Sequence, residues 1–298
     1  MAILVFYSTN TLETDKTMIS LKNISFGYGK ETLFSGLNLS LEPGSVSGLL
    51  GKNGAGKTTL LKLMAGLLFP HRGDTVIMES IPSRRSPDYL QDLFFLPEVL
   101  WLPDVTPEQY AKLYAPFYPG FNDDAYKHYL NEFDCITDKN IKGFSYGQKK
   151  KSLLAFGLAT GCRLMLLDEP TNGLDIPSKT QFRKALASVV SDHSAIIIST
   201  HQVRDLENLI DPVIILEEGQ IIFNHTMEDI TDRLRLVHQA DPPDPETALF
   251  SEQTLRGYMI VTENPDSEAS NINLETLFNT VISNRERISM IFQGGGTK

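Results

Sequence analysis

A chain of 298 residues has room for about two domains, and with 41% apolar and 21% charged residues it can bury a core, which excludes wholesale disorder. Lys and Arg total 27 against 37 Asp and Glu, a net charge of −10, so the chain carries no basic footprint for nucleic acid and no polybasic patch for an anionic membrane surface. The two cysteines, Cys135 and Cys162, make no disulfide framework and lack zinc-ligand spacing, as expected of ordinary thiols in a reducing compartment.

Met1 to Tyr7 is apolar but short, with no basic residue before it and no small-residue cleavage site, and is not read as a secretory signal. Residues 1–17 are expected to form a flexible extension or to be upstream sequence ahead of Met18; an extra edge strand is the alternative. No stretch reaches the ~18 consecutive apolar residues of a membrane span. From residue 18 the chain reads as strands: Leu37 to Leu41 alternates with period two, Glu42-Pro43-Gly44 turns, and Ser45 to Leu50 follows as a buried strand. Then come Gly51-Lys52-Asn53-Gly54-Ala55-Gly56-Lys57-Thr58-Thr59 and a helix carrying Leu60, Leu61, Leu63 and Met64, ending at Gly66.

Residues 86–160 change character and are expected to form a helical insertion. Thr106, Pro107 and Gln109 spell a capped helix start with a capping box; Asn122 opens a second helix with Tyr126, Tyr129, Leu130 and Phe133 on one face; Ser145 and Gln148 form another capping box. Leu164 to Leu167 and Ala195 to Ser199 are continuous apolar runs of the kind found in parallel sheets covered on both faces, with a helix bearing Phe182, Leu186 and Val189 between them. Glu217-Glu218-Gly219 turns a hairpin. The core is therefore α/β with a mostly parallel sheet. Residues 225–298 read as a small α+β appendage: a helix capped at Thr226, a break at Pro242-Pro243-Asp244-Pro245, a strand at Gly257 to Val261, a helix over Asn273 to Asn284, and a disordered glycine tail at 294–296.

Two motifs carry chemistry. Gly51 to Thr58 fits G-x-x-x-x-G-K-[ST] between a strand and a helix. Its curled backbone N–H groups and the helix N-terminus surround phosphates, Lys57 reaches the β- and γ-phosphates, and the Thr58 hydroxyl is placed for Mg²⁺. Leu164 to Leu167 then runs into Asp168 and Glu169, at the carboxyl end of a strand where ligands sit. Asp168 is the expected Mg²⁺ ligand and Glu169 the general base that polarises the attacking water.

With these motifs in place, residues 18–224 resemble the ATP-binding subunit of an ABC transporter. Tyr28 matches the aromatic that stacks on adenine, Gly51–Thr58 the Walker A motif, Leu167-Asp168-Glu169-Pro170-Thr171 the end of Walker B, Gly173-Leu174-Asp175 the D-loop, and His201 the switch histidine facing the γ-phosphate. Phe144-Ser145-Tyr146-Gly147-Gln148 is similar to the LSGGQ signature. The signature also has its own physical reading, because Ser145 caps a helix whose N-terminus attracts anions and Gly147 permits close backbone approach.

The resemblance implies a P-loop NTPase fold, with a RecA-like mostly parallel sheet, an antiparallel β subdomain, the α-helical insertion and the C-terminal α+β appendage. It implies ATP and Mg²⁺ held by Tyr28, by Gly51 through Thr59 including Lys52, Asn53, Gly54, Ala55, Gly56 and Lys57, and by Ser145, Gly147 and Gln148 of an opposing subunit. That subunit is a second copy or a homologue, paired head to tail, and the pair drives a separate transmembrane permease from the inner face of the cell membrane. Two departures stand out: Tyr146 replaces the usual glycine, and is expected to point away from the opposing nucleotide, and Glu98 stands at the position of the Q-loop glutamine as a candidate metal ligand.

The remaining features take plainer readings. Lys149-Lys150-Lys151 reads as a solvated helix face, His71, His128 and His193 as surface residues, and Trp101, Phe117 and Tyr118 as subdomain core or partner surface. Leu100 to Pro103 is the expected permease-docking surface, and the short cassette with its acidic appendage suggests an exporter. The alternative, a non-transport ABC ATPase on a ribosomal or nucleic-acid partner, is disfavoured by the single cassette and the acidic charge. A P-loop GTPase is disfavoured by the absence of Asn-Lys-x-Asp.

Overall fold

The computed structural model describes residues 17–293, Asn208 excepted. Residues 1–16 of the expected extension and the glycine tail at 294–296 lie outside them.

β1 (Ile19–Tyr28) and β2 (Glu31–Leu41) pair antiparallel, and in β2 Leu37, Leu39 and Leu41 are buried while Asn38 and Ser40 face solvent, as a half-buried strand requires. β3 (Ser45–Leu50) enters the phosphate loop and α1 (Lys57–Met64) leaves it. β4 (Arg72–Ile77) returns to β1, completing a three-stranded antiparallel sheet in the order β2-β1-β4.

The short helix α2 (Pro87–Gln91) leads into β5 (Leu93–Leu96). Next come α3 (Pro107–Tyr114), α4 (Asp123–Glu132), α5 (Tyr146–Ala159), β6 (Leu164–Asp168), α6 (Ile176–Val189), β7 (Ala195–Thr200), β8 (Val213–Glu217) and β9 (Gln220–His225). Six of these strands form one sheet in the order β5-β6-β7-β3-β8-β9, parallel except for β9. Its inner strands are buried on both faces, and period-two alternation splits their side chains between two cores. Leu49, Leu164, Leu166, Ile197 and Ile214 pack with α1 and the antiparallel sheet. Leu50, Met165, Leu167, Ile196, Ile198 and Ile215 pack with α5, α6 and the helical segment.

The segment expected as helical over 86–160 differs at both ends. It opens with a strand, since β5 pairs in parallel with β6 and forms the edge of the main sheet. Four residues, Leu-Phe-Phe-Leu, are too few for periodicity to separate a buried strand from a helix. At its far end, α5 is buried from Ser152 to Ala159 and belongs to the core. Phe156 is the hub that ties the outlying helices to it, with ring centroids 5.1 Å from Tyr110, 5.2 Å from Phe121, 5.7 Å from Tyr118 and 5.9 Å from Tyr126. Both capping boxes form: Thr106 and Ser145 each accept from the N–H three residues on, and Gln109 and Gln148 reach back.

Beyond β9, α7 (Met227–Arg233) is capped by Thr226, and β10 (Leu234–Gln239), β11 (Phe250–Thr254) and β12 (Gly257–Glu263) form a small antiparallel sheet in the order β10-β12-β11. α8 (Leu274–Ser283) and α9 (Arg285–Gln293) complete the segment. α7, β12 and α8 are legible beforehand, whereas β10 and β11 are short and polar on one side. Leu274, Leu277, Val281 and Ile288 join the same hydrophobic cluster as Ile198, Val213 and Ile215, so the appendage is continuous with the sheet's core.

Candidate nucleotide site

The site is built where β3, β6 and β7, adjacent in the sheet, end on one side. After β3 the loop closes at Gly56, which takes φ +108°, a left-handed conformation that L side chains rarely adopt; an added Cβ would also lie 2.7 Å from the Phe34 ring. Gly56 is the N-cap of α1 and no side chain caps that helix, so its first N–H groups are left for a ligand. Lys57 folds back over the loop, its Nζ donating to Gly51 O at 2.7 Å and Lys52 O at 3.2 Å. Burial lowers its pKa, while Glu169, Asp168 and Glu98 oppose that shift.

Thr58 Oγ1 donates to Asp168 Oδ2 at 2.7 Å, and Ser199 Oγ donates to Asp168 Oδ1 at 2.5 Å. Asp168 is 1% exposed. The next residue, Glu169, has φ +48°, a strained conformation for a residue with a side chain. Its N–H donates to Ser199 O and Ser199 Oγ, both at 3.1 Å, its carbonyl accepts from Lys150 Nζ, and its Oε1 lies 2.7 Å from His201 Nδ1. His201 Nε2 lies 3.5 Å from Gln202 Nε2. The N–H, the carbonyl and one carboxylate oxygen of this glutamate are thus each held by a neighbour, which over-determines the strained backbone.

Tyr28, Asn53, Gly54, Gly56, Lys57, Thr58, Thr59, Glu98, Glu169 and His201 line one cleft of about 660 Å³. Tyr28 stands at its rim, 52% exposed, its hydroxyl 3.2 Å from Thr59 Oγ1. Gly51 and Lys52 instead line a neighbouring cavity of about 470 Å³, shared with His201 and with Glu275 and Phe278 of α8. The Lys52 ammonium pairs with Glu217 at 2.8 Å, and Ala55 packs toward the core. Leu33 and Asn172 also line the nucleotide cleft and were not anticipated, although Asn172 sits in the same Thr-Asn-Gly-Leu-Asp run as the D-loop.

For a divalent cation, the protein offers the Thr58 hydroxyl and the Asp168 carboxylate in mutual contact, with Glu98 in the same cleft. Among the described residues no group of three His, Cys, Asp or Glu side chains makes a self-sufficient metal cage. Two or three hard oxygen donors suit Mg²⁺, which keeps waters and takes its remaining ligands from phosphate.

Ser145, Gly147 and Gln148 line no part of this cleft. Ser145 is exposed at the tip of α5. Gly147 has a requirement inside its own chain, because a Cβ there would come within 2.5 Å of the Gly173 carbonyl oxygen. Tyr146 is turned onto its own chain, its hydroxyl donating to the Glu98 carbonyl at 2.7 Å. Burial, then Glu98, Asp168 and Glu169, raise its pKa.

The lysine run departs from its reading as a solvated face. Lys150 is 0% exposed, and Lys149 and Lys151 are half-buried. Burial draws the Lys150 pKa down to about 8 against the pull of Glu169, Glu98 and Asp168. The reason is that α5 is embedded on several sides, so a polar residue near its start is also enclosed. His71, His128 and His193 are exposed. Trp101 and Phe117, at 89% and 67% exposed, are surface residues, whereas Tyr118 packs on Phe156. Leu100 and Leu102 pack against the core, which narrows the exposed apolar surface there to Val99 and Trp101.

The ABC transporter family profile matches residues 34–172. The lantibiotic transport ATP-binding protein SrtF of Streptococcus pyogenes is 30% identical over 207 residues, covering 69% of this chain and 89% of SrtF. The Nod factor export ATP-binding protein I of Burkholderia orbicola is 32% identical over 212 residues, covering 68% and 69%. A solved ATP-binding subunit of an ABC transporter superposes with a TM-score of 0.65 at 26% identity, covering 72% of this chain and 91% of that one.

Proposed function

Because the chain belongs to the ATP-binding proteins of ABC transporters, and is therefore an ATPase with a P-loop NTPase fold, we propose that it powers an exporter by closing head to tail on ATP with a second copy or a homologous subunit. Export is the direction in the name of one relative, the Nod factor export ATP-binding protein I, while the other is named for lantibiotic transport. Among the described residues no helix is long and apolar enough to cross a membrane. The permease is accordingly proposed as a separate chain, which holds this subunit at the inner face of the cell membrane. Val99 and Trp101 offer apolar surface for it, as does the groove of about 750 Å³ lined by Leu67, Leu90, Phe95 and Phe117. Nucleic acid has no place in this scheme.

The observation that carries the reading is the convergence of Thr58, Asp168, Glu169 and His201 at the unsatisfied tip of α1. The loop amides and Lys57 hold the phosphate chain, and Tyr28 supports adenine at the rim. Thr58 and Asp168 would hold Mg²⁺, with Glu98 as a further oxygen, and the ion would supply neutralisation of phosphate charge. Glu169 takes the proton of the attacking water. His201 holds Glu169 through Nδ1 and presents Nε2 to the γ-phosphate. Ser145, Gly147 and Gln148 of the opposing subunit close the other side of the nucleotide.

Glu169→Gln tests the assignment, since the amide keeps the shape and loses the base. Magnesium-dependent ATP affinity is expected to persist, turnover to fall by about 10²-fold or more, and an ATP-bound dimer to accumulate by light scattering. Hydrolysis at the wild-type rate would refute Glu169 as the base.

A further inference from the structure

Lys150 is a charged side chain with no exposed surface, in a position where sequence reading puts a solvated one. Enclosing an ammonium is costly unless it is paired and hydrogen-bonded. Here its Nζ donates to the backbone carbonyl of Glu169 and lies 5.3 Å from the centroid of the Tyr146 ring. The same glutamate has the left-handed backbone, which persists only because neighbours hold it. Ser199 fixes its N–H and His201 its carboxylate; its carbonyl accepts from the Asn172 N–H at 3.2 Å within the following turn and from Lys150, the one side chain that reaches it among the hydrogen bonds described.

We infer that Lys150 is a positioning residue for ATP hydrolysis: it clamps the Glu169 carbonyl, and so aims the Glu169 carboxylate at His201 and the cleft. The inference rests on the reading of Glu169 as general base. It gives the signature helix a second task within its own chain. Lys150 stands one turn beyond Ser145, and the first turn of that helix is itself anchored by the Tyr146 hydroxyl on Glu98 and by the Tyr146 ring against Gly173. A shift of the helix tip therefore reaches the base of the same subunit through one side chain. Charge adds to the effect, because Lys150 faces Glu169, Glu98 and Asp168 together. Loss of the ammonium leaves Lys57 with three carboxylates and leaves the Glu169 carbonyl only the Asn172 N–H at 3.2 Å, so the 169–170 peptide can relax toward the right-handed region, carrying the carboxylate off His201.

The test compares full-length wild type with Lys150→Met, which keeps length and apolar volume, and Lys150→Gln, which keeps an N–H donor without the charge. Steady-state turnover, the Kd for magnesium ATP and thermal melting are measured on each. The expected result for Lys150→Met is a Kd within about threefold of wild type and a kcat at least tenfold lower, with Lys150→Gln between the two. In a Glu169→Gln background, Lys150→Met is expected to cause no further loss, because the group it positions is already gone. A folded Lys150→Met with kcat within twofold of wild type overturns the proposal; where that variant does not fold, the same result in Lys150→Gln overturns it. An undiminished tenfold loss in the Glu169→Gln background also overturns it. Glu169→Gln with wild-type turnover instead refutes the base assignment, which separates the two failures.

Discussion

Ser199 carries more of the site than its place inside an apolar strand suggests. Its single hydroxyl donates to Asp168 and accepts from the Glu169 N–H, so it sets both acidic residues at once. Ser199→Ala leaves a carboxylate oxygen short of a donor, and a loss of about 1–3 kcal/mol is expected in urea denaturation, together with a lower kcat. The two thiols make a contrasting prediction. Burial pushes Cys135 up to about 11 and Cys162 up to about 12. At pH 8 roughly one in a thousand or fewer is ionised, so iodoacetamide should label the native protein far more slowly than the urea-unfolded chain. Equal rates would contradict the burial. Lys57, Thr58, Asp168, Glu169 and His201 are legible in the sequence because short spacings tie each to a strand end or a helix start. Ser199, Asn172 and Lys150 are not, because what distinguishes them is the direction each side chain takes after packing. The middle lysine of three is singled out by the face of α5 that packing encloses, and no local pattern encodes that.

At the level of elements, capping and packing contribute on different scales. The box at Thr106 satisfies N–H groups at the solvent-facing start of α3, and Thr106→Ala is expected to cost about 1 kcal/mol. Phe156 is 1% exposed and touches aromatic rings from α3, α4 and the segments between them. Phe156→Ala should cost about 3–5 kcal/mol, and should loosen α3 and α4 first, visible as faster amide exchange there than in β6 and β7. The capping boxes, the alternation of β2 and the apolar runs of β6 and β7 are readable because they are local. β5 escapes such reading, since a four-residue strand declares itself only by pairing with β6.

Across the molecule, the two hydrophobic clusters meet at one sheet, and the C-terminal segment adds Leu277, Val281 and Ile288 to one of them. Phe292 of α9 closes edge-on over Phe223 of β9 at 5.0 Å. A shared core of this kind should melt as a unit. Calorimetry is expected to show a single transition with equal calorimetric and van't Hoff enthalpies, and two resolved transitions would show that the appendage unfolds by itself. By contrast the Arg204–Glu275 bridge between the switch segment and α8 is exposed, and Arg204→Ala should change stability by well under about 1 kcal/mol. The position of β3, between β7 and β8, has a consequence for synthesis on the ribosome. The strand that launches the phosphate loop emerges early, yet both of its sheet neighbours lie near the far end of the cassette. At roughly 5–20 residues per second, the newborn N-terminal half waits on the order of ten to thirty seconds with an unflanked apolar strand. Stalled nascent chains should accordingly gain nucleotide affinity only after Glu217 has cleared the exit tunnel, and until then they are natural clients for chaperones.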